Sequence, residues 1–399
     1  AFNLFNTEAW EEGYSLLNDL AIMQEQAIAE EAWGYAGIAG VIQAFTWTNM
    51  LDLYGDVPFN EALTTDVRSP IFDDHASLYD DIHAILDESI DYLNRNASEI
   101  APGDDDVVYS GDLALWAKTA YGLKARLYMK LINVEAGNAQ RSLDAVGNSF
   151  VSQEESFVLS LYTNVQQNGN PLSVPEFIQP RSAAGSGLFT AMLAFTPNNT
   201  IEEDPRAELW LTVPDSVGVR TPGPNGQLME DFLNPNGNFY SKPKFLQQLD
   251  APFPVLTYTE LLFITAEAHL RQGNTAAAHE AYLQAVTVAL EQASLFNPDL
   301  ALSEEAIATY LDYPTVDPGT ANLALEDIIL QKIIYFTQFQ FIEAYNETRR
   351  TAVLAPVNPE GRANQFTYPD SERTRNPNIP TNVNPLSVLE PSTKLVWAQ

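Results

Sequence analysis

The sequence predicts an all-α fold in which helical hairpins scaffold a loop-rich, irregular portion. Three observations lead there. Apolar residues recur at helical spacing through most of the 399 residues. Small residues sit where the two helices of a hairpin would touch near Ala266–Ala285. From about 151 to 255 the periodicity fades into sequence rich in Pro, Gly, Asn and Ser.

The elements follow in order. Trp10, Tyr14, Leu17 and Leu20 mark a first helix, and Ile38, Ile42, Phe45 and Leu53 a second. The second stops at the Gly55-Asp56-Val57-Pro58 turn. Leu78, Ile82, Ile85 and Leu93 mark a third. Leu113, Trp116, Ala120, Leu123 and Leu127 mark a fourth, with Asp112 as its N-cap. Within the irregular stretch, Leu209-Trp210-Leu211-Thr212-Val213 reads as a short strand, and Trp210 as core. Leu262 to Gly273 reads as a helix closed by a C′ glycine, followed at once by Ala276 to Ala285. Ala266, Ala278 and Ala285 let those two helices approach closely, which makes the hairpin tetratricopeptide-like. One such repeat cannot bury its own face, so others should stack on it. A last long helix is expected from about Leu323 to Tyr345, and an irregular tail over 353–399. The whole, 1–399, reads as a single domain, with a helical scaffold over about 1–150 and 256–350 and an insertion over about 151–255.

Composition narrows the function. Lys and Arg total 20 against 53 Asp and Glu, a formal charge of −33. Nucleic acid and anionic membrane surfaces repel such a chain, so neither is expected as partner. The chain has no cysteine, which removes disulfides, thiolate metal sites and a cysteine nucleophile. No apolar run reaches the roughly 18 residues of a membrane span. The first residues, Ala1-Phe2-Asn3-Leu4-Phe5, lack the basic start of a secretion signal, so any such signal is expected to have been removed or to lie upstream.

Catalytic motifs are not apparent. The four histidines, His75, His83, His269 and His279, form no His-Glu-x-x-His pattern, and no metal site or cofactor is expected. Asp104-Asp105-Asp106 lacks the alternation of a calcium loop. Ser186, in Ala184-Gly185-Ser186-Gly187, does not stand in a nucleophile elbow. Acid pairs abound, but a glycosidase pair is recognised by its separation in space, which sequence does not give.

Six blocks, in order, resemble the SusD/RagB-like outer-membrane lipoproteins of Bacteroidetes, and more closely the second SusD-like subfamily. They are Tyr35-Ala36-Gly37-Ile38 through Asp52-Leu53-Tyr54-Gly55-Asp56-Val57-Pro58-Phe59; Gly111-Asp112-Leu113 with Trp116 and Leu123 to Met129; and Asp204-Pro205-Arg206. The others are Pro254 to Phe263 with Ala266-Glu267-Ala268; Gln331-Lys332 through Glu343-Ala344-Tyr345 to Arg349-Arg350; and Tyr368-Pro369-Asp370 with Asn376 and Asn378. For most blocks a structural role is the expectation. Arg349-Arg350 should pair with local carboxylates or helix carbonyls, and Arg206 should form an ion pair at its turn.

The resemblance implies four tetratricopeptide-like hairpins and a non-catalytic protein of the cell surface. It implies a lipid anchor on a cysteine upstream of this chain. It implies capture of an oligosaccharide, or in some branches a peptide, and delivery to a TonB-dependent outer-membrane transporter. A sugar surface needs flat aromatic faces and amide, carboxylate or Arg groups for hydroxyls. On that ground the expected ligand-binding residues are Tyr162, Asn164, Asn168, Asn170, Arg181, Phe189, Phe239 and Tyr240, with Gln166 beside them. Trp33, Trp47 and Trp116 sit on helical faces and read as packing residues, with Trp33 and Tyr35, opening the second helix, as the alternative candidates to face the ligand. Arg181, Arg206, Arg220, Lys242 and Lys244 would be the source of any basic patch. Without one, a neutral glycan is preferred. The alternatives are a peptide-binding member of the family, a helical carbohydrate-active enzyme with two carboxylates roughly 5–10 Å apart, and a repeat scaffold that binds proteins on its concave face.

Overall fold

The computed structural model describes residues 2–64, 66–95, 98–173, 186–215, 217–223, 240–244, 248–295, 300–354, 362–384, 387–390 and 393–398. In chain order its helices are α1 (Phe2–Ala29), α2 (Trp33–Tyr54), α3 (His75–Leu93), α4 (Leu113–Lys130), α5 (Asn138–Val146), α6 (Ser186–Leu193) and α7 (Arg206–Trp210). They continue with α8 (Tyr258–Arg271), α9 (Thr275–Glu291), α10 (Glu304–Leu311), α11 (Leu325–Phe336), α12 (Phe341–Thr351) and α13 (Asp370–Arg375). Among the described residues the strands are β1 (Phe157–Leu159) and β2 (Phe253–Leu256), paired antiparallel with Phe157 opposite Leu256. The fold is all-α, as the periodicity predicts. The chain forms two compact units, Ala1–Phe150 with Glu360–Gln399, and Val151–Pro359. Among the described residues no helix is long and apolar enough to cross a membrane.

In the first unit α2 lies between α1 and α3. It carries a single charged residue, Asp52, in 22 positions and is buried along almost its whole length. Such a helix needs close neighbours on several sides, and its glycines admit them. A Cβ on Gly37 would stand 2.5 Å from Leu93 Cγ, and one on Gly34 2.7 Å from Pro102 Cδ. On the α1 side, a Cβ on Gly13 would stand 2.6 Å from Met50 Sδ. Asp52 itself is fully buried and ion-paired with Lys130 of α4.

Capping follows expectation. Asp112 accepts from the amides of Ala114 and Leu115 at 3.0 and 3.2 Å. Asp106, from the acidic run, is a structural hub: its carboxylate accepts from Val108 N, Gly111 N and Trp116 Nε1 at 2.8–3.0 Å.

The tail is irregular but integral. Tyr368 donates to Asp56 O at 2.8 Å, and Trp397, fully buried, donates from Nε1 to Tyr79 Oη at 2.6 Å. Val396 N donates to His75 Nε2 at 3.0 Å, so the ring proton sits on Nδ1 and faces Asp56 at 2.6 Å. The Gly55–Pro58 turn is thus the receptor for the tail as well as the end of α2.

The second unit contains the expected hairpin. Gly273 takes φ +80° after α8, where a Cβ would be strained. Ala266, Ala278 and Ala285 are fully buried at the α8–α9 contact. Thr257 caps α8 by accepting from Glu260 N at 3.2 Å. Two expectations need correction. The stretch Leu209–Val213 is not a strand: α7 runs through Trp210, and Leu211 makes only an isolated bridge to Pro243. Its apolar run reflects burial of Leu209, Trp210 and Leu211 in the core, which fits a helix end as well as a strand. The expected helix from Leu323 to Tyr345 is two helices, α11 and α12, broken at 337–340. There Gln340 leaves helical geometry and its amide donates to Val255 O at 3.0 Å.

Buried charge ties these helices together. Arg350 reaches Glu267 through two bonds of 2.7 Å, and Lys332 reaches Glu347 at 2.9 Å. Arg206 grips Asp204 at 2.9 and 2.7 Å and meets Tyr310 Oη at 2.7 Å and Gln331 at 3.1 Å. Arg206 of the Asp-Pro-Arg block and Arg350 of the Arg-Arg block are therefore in core ion pairs, while Arg349 donates to Asn346 Oδ1. Burial pushes the Glu347 carboxyl up, but the charges of Arg350 and Lys332 outweigh it and bring it down to about 2. Glu267 is held below its ordinary value in the same way, against burial, chiefly by Arg350.

Two predictions follow from this packing. Gly37→Ala should lower stability by about 1–2 kcal/mol, because overpacking against Leu93 outweighs the gain in helix propensity; thermal unfolding measures it, and an unchanged melting temperature refutes the close-approach account. Glu347 stabilises the fold above its unfolded pKa of about 4.5. That stability should drain as pH falls toward about 2, and Arg350→Met should cost about 3 kcal/mol by leaving Glu267 with Arg271 alone and Glu347 with Lys332 alone. Chemical denaturation at neutral pH and at about pH 3 checks both; equal acid sensitivity of wild type and variant contradicts the assignment.

Candidate ligand-binding surfaces

After β1 the second unit forms a tight loop. Gln166–Asn168 is a single 3-10 turn, Thr163 N donates to Asn168 O at 2.9 Å, and Asn168 N donates to Val165 O at 3.0 Å. This folding turns Asn164, Gln166 and Asn168 outward, with Leu161 and Val165 about half exposed beside them. Tyr162 is half-buried at the base, where burial raises its phenol pKa. Three of the expected ligand residues, Tyr162, Asn164 and Asn168, therefore share one loop that presents amides and one aromatic ring.

Two others have different roles. Asn170 is 3% exposed and clips the loop to the chain before β2. Its N–H donates to Leu249 O at 2.6 Å, its Nδ2 to Ala251 O at 2.8 Å, and its Oδ1 accepts from Leu172 N at 2.9 Å. With every polar group engaged, it has nothing to offer a ligand. Phe189 is 4% exposed in the core of the unit, on α6. Tyr240 is half-buried beside Ser241, which is pinned to Thr221 by two bonds of 2.8 and 3.0 Å. Arg181 and Phe239 lie outside the described residues.

Three of the basic residues near the loops are held by acceptors, and Arg181 lies outside the described residues. Arg206 is buried on Asp204. Arg220 turns to Leu211 O at 3.3 Å and Glu202 at 3.5 Å, and Lys244 donates to Glu208 O at 2.6 Å. These cations satisfy acceptors of their own unit.

The first unit holds a second surface, at the start of α2. Trp33 lies parallel to Tyr92 with ring centroids 5.8 Å apart. The Arg95 guanidinium sits 4.1 Å from the Trp33 centroid and 4.5 Å from that of Tyr92. Tyr35 donates to Asp105 at 2.6 Å, which holds that carboxyl below its ordinary value. A groove of about 290 Å³ runs beside Tyr35, lined by Asp19, Gln26 and Ile100 among others. Trp33 and Tyr35 are legible from their position at a helix start. Tyr92 and Arg95 are not, because Tyr92 continues the apolar face of α3 and Arg95 looks like an ordinary surface charge.

The geometry offers less to chemistry. Asp52, Asp204, Glu267 and Glu347 are buried on cations. His279 bonds Asp317 at 2.6 Å. Asp56, Asp74 and His75 bring ligand atoms within 4.8 Å of one another, but both His75 nitrogens already serve Asp56 and Val396.

Comparison with known proteins agrees with this picture. A family described as SusD-like, starch-binding and associating with the outer membrane matches residues 2–369. A SusD/RagB family protein from Bacteroides thetaiotaomicron superposes with a TM-score of 0.78 at 25% identity, over 95% of this chain and 84% of that one. A chitin-binding protein superposes at 0.77 with 22% identity, over 94% and 83%. A chitin-binding SusD homologue from Flavobacterium johnsoniae does so at 0.76 with 17% identity, over 94% and 83%; these two likenesses establish the fold alone. No curated protein matches the chain. With the family match spanning nearly its whole length and the all-helical fold in common, the chain belongs to the SusD-like family of outer-membrane-associated carbohydrate-binding proteins.

Proposed function

We propose that this protein captures a neutral oligosaccharide at the cell surface and passes it, unchanged, to a TonB-dependent outer-membrane transporter. In this reading a lipid anchor outside the present sequence holds it at the membrane. The observation that carries the ligand class is the pairing of exposed amides with an aromatic ring on the 162–168 loop, in a region where Arg206 is buried and Arg220 and Lys244 are engaged by acceptors of their own unit. Amides donate and accept at once, which suits hydroxyl groups. A sulfated or uronate-rich chain would meet a protein of charge −33 with few free cations to offset it. The chitin-binding relatives favour a sugar over the peptide alternative. The Trp33–Tyr35 surface would provide a second contact for a long chain.

Affinity electrophoresis against neutral glycans, anionic glycans and a peptide digest tests the reading. A neutral glycan should retard the protein equally at low and high salt. Tyr162→Ala should weaken this by about 1–3 kcal/mol, the scale of one lost aromatic contact in a binding site, with an unchanged melting temperature. Retardation by peptides alone would overturn the sugar assignment, and a shortened glycan after long incubation would overturn the non-catalytic role.

A further inference from the structure

Three asparagines stand on or beside the 162–168 loop, each followed by a different residue: Asn164-Val165, Asn168-Gly169 and Asn170-Pro171. The side-chain carbonyl carbon of an asparagine lies within reach of the amide nitrogen of the next residue. Attack of that nitrogen closes a five-membered ring, so the following residue decides whether the side chain is inert.

The three neighbours allow different things. Pro171 has no N–H to give up, and Asn170 is buried with its Nδ2 held by Ala251 O at 2.8 Å. Val165 carries a stiff, β-branched side chain that crowds its own nitrogen. Gly169 has no Cβ, so nothing screens its nitrogen. Among the described residues, neither the Gly169 N–H nor the Asn168 side chain has a hydrogen-bond partner, and Asn168 is exposed. Little holds the backbone that must rotate. Gln166–Asn168 is a single 3-10 turn, closed by Asn168 N on Val165 O at 3.0 Å and by Thr163 N on Asn168 O at 2.9 Å.

We infer that Asn168 is a self-modifying site whose conversion to aspartate or β-linked aspartate weakens ligand capture by this loop. Gly169 N bonds to Asn168 Cγ, the Cγ–Nδ2 bond breaks, and the Gly169 amide proton leaves with Nδ2 as ammonia. Water then opens the ring at either carbonyl. Opening at Cγ gives an ordinary aspartate. Opening at the backbone carbonyl carries the chain through Cγ, lengthens it by one methylene and turns the carbonyl that Thr163 N holds into a free carboxylate. Either way an amide, which donates and accepts, becomes a carboxylate, which only accepts. The modification depends on the loop alone; its effect on capture rests on the glycan reading.

Ageing the whole chain at mildly alkaline pH, followed by peptide mass spectrometry, tests the modification. The peptide bearing Asn168 should gain the mass of an amide turned acid, while Asn164 and Asn170 keep their amides. Gly169 has φ −79° and ψ 158°, which alanine adopts freely, so Gly169→Ala should keep the fold and suppress the gain. An intact Asn168 amide under conditions that convert an unfolded peptide of the same sequence would overturn the inference, as would equal conversion at Asn164 or in Gly169→Ala. Affinity electrophoresis then reads the consequence. Asn168→Asp and aged wild type should each bind the neutral glycan that retards fresh protein about fivefold more weakly. Aged Gly169→Ala should bind as fresh protein does, which controls for Asn225-Gly226 and Asn236-Gly237, outside the described residues. Full affinity in Asn168→Asp would overturn the effect on capture. If no neutral glycan retards fresh protein, it is the capture reading that falls, and the mass gain alone decides the modification.

Discussion

The double bond between Arg350 and Glu267, with Arg350 2% and Glu267 0% exposed, is the point on which the second unit turns. A charge in that position is tolerated only when its partner is present and geometrically matched. Glu267 belongs to the tetratricopeptide-like hairpin and Arg350 to α12, so the pair fixes how two distant stretches of chain meet. Glu347 and Lys332 complete the network, and α11 is thereby tied to α12. Arg206 and Asp204 repeat the device where the irregular segment re-enters the core. In the first unit Lys130 does the same for Asp52, the one charged residue of α2. Lys130, Arg206, Lys332 and Arg350 are thus each held inside on a buried acid.

Much of this was legible in the sequence, and the reasons differ from element to element. Helices α1 and α3 announce themselves because each buries a face against a neighbour, whereas α2 and α4 are marked by long runs of apolar and small residues with few charges. The α8–α9 hairpin is legible because close packing demands small residues at known intervals. The stretch Leu209–Val213 misleads because a short helix end buried on all sides has no period to show. The break between α11 and α12 is invisible for another reason: Gln340 is an ordinary helix residue, and only its bond to Val255 O takes it out of the helix. The tail conceals its integration because it docks through single residues, Tyr368, Val396 and Trp397, with no repeating pattern.

The candidate surfaces obey a similar logic. Asn164 and Asn168 look like ligand residues and stand exposed, whereas Asn170, two residues on, has the same chemistry and is buried. Irregular backbone has donors and acceptors that no helix satisfies, so some polar side chains in any such segment must serve it. Sequence cannot tell which asparagine is drawn inward. Phe189 misleads from the opposite direction, since an aromatic in a turn-rich stretch suggests exposure while α6 carries it into the core.

The acidity and the ligand class are then two sides of one arrangement. With a formal charge of −33 the protein cannot rely on its overall field to gather an anionic polymer, and that field repels one. In the proposed reading the 162–168 loop offers neutral hydrogen-bonding groups and an aromatic ring, and contacts of that kind with a sugar would be insensitive to salt.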